Sequence, residues 1–186
     1  MSNFIINKCS DIEGLYVIET LTFGDNRGYF METYNYETFK EAGLDMVFVQ
    51  DNQSMSKQGV LRGLHFQKKY PQGKLVRVLS GVVYDVAVDL RADSKTFGKH
   101  HGVILSGEER NQFYIPEGFA HGFLVLSKEA EFVYKCTNVY HPEDEGGIIW
   151  NDPALKIDWP TFEGVDLTIS EKDINLPLFD KDHIYF

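Results

Sequence analysis

The sequence predicts an all-β fold, an antiparallel sandwich or jelly-roll barrel with only a few short helices. Its composition is one reason, because 14 Phe and 10 Tyr among 186 residues favour strands over helices. Spacing is the other, since short β-branched and aromatic runs recur at intervals of about 8 to 12 residues, with Gly, Pro and Ser between them. No linker or repeat interrupts the chain, so we expect one domain over residues 1–186.

The first expected elements are two strands around a helix. Residues 28–34 and 46–53 have the composition of strands. Residues 36–42 form a short helical candidate, and Gly43 is the residue type that ends a helix. We therefore expect this helix to be a minor element.

A hairpin is expected in the middle of the chain. Residues 75–79 and 82–90 are β-branched runs joined at Ser80-Gly81, where glycine supplies the positive φ of a tight turn. The remaining predicted strands are residues 101–105, 112–115, 122–126 and 130–140. The tail after Trp150 is expected to be irregular.

Two aspartates interrupt the second of these runs. Asp85 and Asp89 share one strand face with Val83 and Ala87 by the period of two. Alternating polarity is typical of a half-buried strand, so we expect this face to be the solvated one.

Charge and cysteine usage exclude several classes of function. A net charge of −10 repels polyanions, so nucleic-acid binding is not expected, although Arg and Lys gathered locally could still hold a small anion. Cys9 and Cys136 are too few for a disulfide framework. With no leader pattern and no apolar run of about 20 residues, we expect a soluble, cytoplasmic protein.

An arginine and a histidine stand three residues apart in one predicted strand. Arg62 and His65 would point to opposite faces, because side chains alternate along a strand. Both could line one pocket only if Gly63 permits a bulge, which re-aims the side chains that follow. A core histidine beside a surface arginine is the alternative.

Three further side-chain types could join His65 in a pocket. Lys74 shares a face with apolar residues at a strand end, and His121 follows a turn at the start of a strand. Tyr134 and Tyr140 share a face by the period of two. Each residue could also be ordinary: a solvated lysine, a structural histidine or packed tyrosines.

Together, these types suit removal of a proton next to a carbonyl group. A C–H beside a carbonyl is a weak acid, so the reaction needs a positioned base and a cation or donor for the developing enolate oxygen. Inversion then needs an acid on the opposite face, and a phenol with an unperturbed pKa of ~10 is protonated at neutral pH.

The sequence resembles the dTDP-4-dehydrorhamnose 3,5-epimerase family of cupin-class jelly rolls. The resemblance extends over nearly the whole chain, and the joint order and spacing of its motifs make it specific. The motifs are FGDNRGYFME at 23–32, QDN at 50–52, LRGLHFQ at 61–67, QGKLVR at 72–77, IPEGFAHGF at 115–123, YKCTN at 134–138, EG at 145–146, WND at 150–152 and SEKD at 170–173.

The resemblance implies a role for each site residue. His65 would be the base, Asp173 its orienting partner, Tyr134 the acid on the opposite face and Lys74 the stabiliser of the enolate. Tyr140 would stack on the thymine ring. The other implied substrate contacts are Arg27, Glu32, Gln50, Asn52, Arg62, His121, Glu145 and Lys172.

The resemblance also implies the reaction and the assembly. The enzyme would invert C3 and C5 of dTDP-4-keto-6-deoxy-D-glucose, giving dTDP-4-keto-L-rhamnose for dTDP-L-rhamnose biosynthesis, with no cofactor and no metal. Homodimers in which N-terminal strands cross into the partner's sheet are usual in the family. Arg27 and Glu32 would then serve the neighbouring subunit's site.

Three other functions stay open at this stage. A metal-dependent cupin enzyme needs about three converging ligands, whereas His65 has no His-x-His partner, and the adjacent His100 and His101 point to opposite faces. His141 and His183 are expected at the surface. A non-catalytic sugar-nucleotide barrel and an epimerase acting at C3 or C5 alone are the other two.

Overall fold

The computed structural model describes residues 2–161 and 164–186. Within them the chain forms fourteen strands and two short α-helices, and a 3₁₀ turn lies at Pro142–Asp144. The strands are β1 (Phe4–Lys8), β2 (Tyr16–Thr20), β3 (Thr22–Asp25), β4 (Gly28–Met31), β5 (Gln50–Lys57), β6 (Val60–Gln67), β7 (Lys74–Ser80), β8 (Val82–Asp89), β9 (His100–Ser106), β10 (Gln112–Ile115), β11 (Phe119–Val125), β12 (Glu129–Cys136), β13 (Glu145–Gly147) and β14 (Thr168–Ile169). The helices are α1 (Tyr36–Glu41) and α2 (Glu171–Ile174).

Most of the strands form two sheets that pack face to face. One sheet has the order β1-β2-β10-β7-β12-β5 and the other β13-β6-β11-β8-β9, with β14 added in parallel to β6. Strands β3 and β4 form a separate hairpin. The other pairings within the two sheets are antiparallel, so the predicted all-β jelly roll is confirmed.

Two hydrophobic clusters hold this arrangement together. The first fills the space between the sheets, where Val76 and Phe132 of one sheet meet Val83 and Phe123 of the other. Burial of such side chains contributes about 1.5–3 kcal/mol each. The second lies outside the β6-β11-β8 sheet, which the C-terminal segment covers with residues such as Trp159. That sheet is therefore buried on both faces.

The predicted hairpin at Ser80-Gly81 is wrong. Strand β7 pairs with β10 and β12, whereas β8 pairs with β9 and β11, so the turn carries the chain from one sheet to the other. Gly81 has a φ of +83°, and a side chain there would strike the carbonyl of Glu129. The sequence encodes a tight turn correctly, but a turn alone does not specify which strands pair.

The expected solvated face of β8 is also wrong. Asp85 and Asp89 do share a face with Val83, but both aspartates are 0% exposed because that face points between the sheets. Asp85 is paired with His121, and Asp89 with Arg91 and two hydroxyl groups. Alternation shows which residues share a face, but not what covers the opposite face.

The short helix is confirmed, and several strand ends differ from expectation. In α1 the side chain of Asn35 accepts a hydrogen bond from the Thr38 N–H at 3.2 Å, and Gly43 follows with a φ of +86°. Predicted strands 101–105, 112–115 and 122–126 correspond to β9, β10 and β11. Strand 28–34 ends at Met31, strand 46–53 begins at Gln50, and strand 130–140 ends at Cys136. None of the described helices is long and apolar enough to span a membrane.

Candidate active site

An open cavity of about 720 Å³ lies between the sheets, beside the C-terminal segment that carries β14 and α2. Strands β5, β6, β7, β11 and β12 all contribute side chains to its wall. The predicted site residues that line it are His65, Lys74, Tyr134, Asp173, Gln50, Asn52, Arg62, His121, Tyr140, Glu145 and Lys172.

A bulge in β6 brings Arg62 and His65 into this cavity. Opposite them, Phe123 and His121 of β11 are two residues apart, whereas Arg62 and His65 are three apart, so one extra residue lies in β6. Gly63 has a φ of +119°, and a side chain there would lie 2.5 Å from Cα of Gly122. The sequence allows Arg62 and His65 to line one pocket only if Gly63 permits a bulge, and that bulge is present.

His65 is held by a buried carboxylate. Its Nε2 lies 2.7 Å from Oδ1 of Asp173, whose other oxygen accepts a hydrogen bond from the Gly63 N–H at 3.3 Å. Burial alone would raise the pKa of Asp173, but the hydrogen bond and charge of His65 hold it below its usual value. Because an ionised carboxylate only accepts hydrogen bonds, the neutral ring carries its proton on Nε2 and keeps a lone pair on Nδ1.

Lys74 and Tyr134 stand together on neighbouring strands. The Lys74 ammonium lies 5.9 Å from the centre of the Tyr134 ring, within the range of a cation–π contact. Burial lowers the pKa of Lys74, and nearby negative charges such as Asp85 oppose that shift. Burial raises the pKa of Tyr134, so its hydroxyl keeps its proton at neutral pH. The pair supplies one cation and one acid.

The mouth of the cavity is bridged by three side chains. The Tyr140 hydroxyl donates to Oε2 of Glu145 at 2.8 Å, and the Lys172 ammonium donates to the same oxygen at 2.6 Å. Gln50 holds the Tyr140 backbone by accepting its N–H at 2.8 Å. Tyr140 shares the cavity with Tyr134 as expected, but it lies beyond the end of β12, so the period of two is not the cause.

Arg27 and Glu32 lie away from this chain's cavity. Arg27 is in the β3–β4 turn, where its side chain is 86% exposed and pairs with Asp25 at 2.6 Å. Glu32 accepts hydrogen bonds from the side-chain amides of Asn3 and Asn35. Neither residue is among those that line the cavity of the same chain.

Comparison with known proteins shows the family of the chain. A family model described as dTDP-4-dehydrorhamnose 3,5-epimerase matches residues 9–181. The chain belongs to this family. It is an epimerase, which confirms the enzyme class that the sequence motifs implied.

Relatives match the chain over almost its full length. The dTDP-4-dehydrorhamnose 3,5-epimerase of Methanothermobacter thermautotrophicus is 55% identical over 185 residues, covering 100% of both chains. The crystal structure of a dTDP-6-deoxy-D-glucose-3,5-epimerase from Legionella pneumophila, in complex with dTDP-4-keto-L-rhamnose, has a TM-score of 0.90 at 52% identity and covers 94% of this chain and 92% of that one. That of the Elizabethkingia anophelis 3,5-epimerase has a TM-score of 0.91 at 53% identity, with coverage of 99% and 100%.

Sequence reasoning missed several polar groups of the cavity. Ser54, Gln72 and Ser170 also line it. Ser54 could have been found, because it lies two residues beyond Asn52 and therefore shares its strand face. Asp85, which the alternating pattern assigns to a solvated face, is buried between the sheets and contacts His121 of the cavity wall.

Two of the histidines outside the cavity contact side chains away from it. Nδ1 of His101 lies 2.7 Å from Oδ2 of Asp11, and the ring of His141 stacks on Tyr70 at 3.9 Å. His183 is exposed, as expected. Among residues 2–161 and 164–186, no group of three or more His, Cys, Asp or Glu side chains is arranged to hold a metal ion.

Proposed function

We propose that this epimerase inverts both C3 and C5 of dTDP-4-keto-6-deoxy-D-glucose and so produces dTDP-4-keto-L-rhamnose, on the path to dTDP-L-rhamnose. The observation that carries the proposal is that a carboxylate-supported imidazole, a protonated phenol and a partly buried ammonium share one cavity. These are the three groups that inversion beside a carbonyl requires.

The first step is removal of a proton from the carbon next to the C4 carbonyl. Nδ1 of His65 takes the proton, and the electron pair of the C–H bond moves onto the carbonyl oxygen as an enolate. Lys74 stabilises the negative charge on that oxygen, and Asp173 stabilises the imidazolium that forms. Low-dielectric surroundings make both interactions stronger than they would be in water.

Inversion follows when a proton is delivered to the opposite face of the enolate. Tyr134 supplies it, because its raised pKa keeps the phenol protonated at neutral pH. The phenolate left behind regains a proton before the next turnover. The same sequence applied at the other carbon beside the carbonyl completes the double epimerisation.

The nucleotide binds at the mouth of the cavity. Tyr140 offers an exposed ring for stacking on thymine, since every base presents an aromatic face. Arg62 and Lys172 place two cations at the cavity wall, within a chain whose net charge is −10. The Arg62 guanidinium is oriented by Ser56, whose hydroxyl accepts bonds at 3.2 and 3.1 Å, and a guanidinium fork suits a pyrophosphate.

The working unit is a homodimer in which Arg27 and Glu32 reach the neighbouring subunit's cavity. Support comes from the β3–β4 hairpin, where Phe23, Tyr29 and Phe30 are exposed beside Arg27. Clustered exposed aromatic side chains are typical of protein interfaces. We also place the enzyme in the cytoplasm, where its two free cysteines would stay reduced.

Incubation with dTDP-4-keto-6-deoxy-D-glucose in D2O, followed by NMR, tests the reaction. Deuterium at both C3 and C5, together with formation of the L-rhamno product, is the expected result. Deuterium at one carbon alone would identify a mono-epimerase of a related deoxysugar pathway. No incorporation at either carbon would overturn the proposed substrate.

A further inference from the structure

A second histidine–aspartate pair borders the cavity, and its carboxylate has no part in the steps above. Asp85 on β8 is fully buried, and its two oxygens lie 3.0 and 2.9 Å from Nε2 of His121. Burial of an ionised carboxylate is costly unless the charge is balanced and hydrogen-bonded. The position of Asp85 therefore requires a cation or strong donors nearby.

The negative charge of Asp85 acts on two nearby bases, His121 and Lys74. The charge of Asp85 favours the protonated forms of both His121 and Lys74, while burial lowers the pKa of each. The Lys74 ammonium in turn lowers the pKa of His121. One buried carboxylate balances one cation, so protonation of both bases would leave an uncompensated charge in the wall of the cavity.

Lysine is intrinsically the stronger base of the two, with an unperturbed pKa of about 10.4 against about 6.5 for histidine. Burial and the charge of Lys74 lower the pKa of His121 below that usual value, so His121 is neutral at neutral pH and the proton stays on Lys74. The other titratable groups around them, which come from neighbouring strands, are His65, Tyr134, Cys136 and Glu145.

The hydrogen bond to Asp85 then decides the tautomer of His121. An ionised carboxylate only accepts, so Nε2 of His121 must carry the ring proton. Nδ1 keeps a lone pair, and no described residue donates a hydrogen bond to it. Because His121 lines the cavity, this nitrogen can accept a hydrogen bond from a hydroxyl of the bound sugar.

We propose that Asp85 is a positioning residue for epimerisation: its hydrogen bond fixes the neutral His121 in the Nε2–H tautomer, and its charge favours the ammonium form of Lys74, the cation facing the enolate. The inference rests on the proposed function for its catalytic meaning. The tautomer and the charge of His121, which the inference also predicts, can be measured without any turnover.

A matched control is available on the same strand. Asp89 lies four residues from Asp85 on the same face of β8 and is equally buried. Its carboxylate is bound by Arg91 at 2.9 and 2.7 Å and by Ser94 and Thr96, and it does not line the cavity. Replacement of Asp89 therefore perturbs a buried carboxylate without touching Lys74 or His121.

The first test is NMR of the wild-type enzyme labelled with ¹⁵N-histidine. The proposal predicts that His121 shows the Nε2–H tautomer and does not titrate between about pH 6 and 8, where an unperturbed histidine changes charge. A protonated His121 over this range, or an Nδ1–H tautomer, would overturn the proposal. This result does not depend on whether the dTDP-sugar is the true substrate.

The second test compares Asp85→Asn with Asp89→Asn. We expect Asp85→Asn to lower kcat about 10²-fold, as loss of one enolate-stabilising group does, and to move the basic limb of the kcat–pH profile to lower pH, because Lys74 loses its counter-charge. Asp89→Asn should lower the melting temperature and leave that limb unchanged. Superimposable pH profiles for Asp85→Asn and wild type would contradict the proposal.

If Asp85→Asn does not fold, the tautomer measurement on the wild type decides the matter. Failure of the proposed function has a different signature, since wild-type enzyme would then leave the sugar unlabelled in D2O while His121 still showed the Nε2–H tautomer. The two outcomes are therefore distinguishable.

Discussion

Two histidines that line one cavity are each paired with an aspartate, and the two pairs differ in access and in neighbours. The His65 side chain is 25% exposed, whereas that of His121 is 9% exposed. Both rings use Nε2 to contact a buried carboxylate, and burial and the charge of Lys74 lower the pKa of His121. In the proposed mechanism, the surroundings and not the pair itself separate a proton-transferring histidine from a neutral one.

The largest loss of kcat is expected from His65→Ala, which tests whether the two pairs differ in function. Loss of the base should lower kcat by about 10⁴-fold, the upper end of the range for general acid–base catalysis. Binding of dTDP, measured by calorimetry, should change little because His65 faces the sugar. A variant that keeps wild-type turnover would show that the more exposed pair is not the base.

A somewhat smaller loss is expected from Asp173→Asn. The amide can donate to Nε2 of His65, which would move the ring proton to Nδ1 and block the lone pair that acts as base. We expect kcat to fall by about 10³-fold, within the range for loss of a general base. Measurement of kcat and of dTDP affinity in parallel separates this from misfolding; an unchanged kcat would contradict the assigned tautomer.

The stability that Asp173 contributes to the His65 pair should depend on pH. The pKa of Asp173 is lower in the folded protein than its usual value, so its contribution to stability is present above about pH 3.9 and is lost as the pH falls through the folded pKa. Denaturant unfolding between about pH 5 and 2 should therefore show a shallower loss of stability for Asp173→Asn than for wild type. Parallel curves would remove this carboxylate from the account.

The smallest expected effect is that of chelation. A metal ion held between the two pairs would make them a single site, but the described residues offer no group of three or more suitable ligands. Dialysis against EDTA, with metal analysis before and after, should leave turnover unchanged. A stoichiometric metal whose removal abolishes turnover would replace this mechanism with that of a metal-dependent cupin enzyme.

The sequence predicts which residues line the cavity better than it predicts the structure around them. Gly63 reveals the bulge because only a backbone irregularity can bring residues three apart to one side of a strand. The buried state of Asp85 could not be predicted, since its face points between the sheets while a C-terminal segment covers the more apolar opposite face. The strand partners across Ser80-Gly81 are equally hidden, because a turn fixes local geometry and not pairing.

Two other site residues show the same limit. Tyr140 reaches the cavity from irregular backbone held by Gln50, a contact between positions far apart in the chain that strand periodicity does not register. Arg27 and Glu32 carry family motif positions yet lie outside this chain's cavity. Motif spacing identifies such residues, but it does not give their positions in the folded chain.

The most direct test of the account separates proton removal from inversion. In D2O, Tyr134→Phe should still exchange deuterium at C3 and C5, because His65 remains, but should form the L-rhamno product at least about 10²-fold more slowly, as loss of a general acid predicts. His65→Ala should show neither exchange nor product. Exchange at the wild-type rate in His65→Ala would contradict the assignment of His65 as the base.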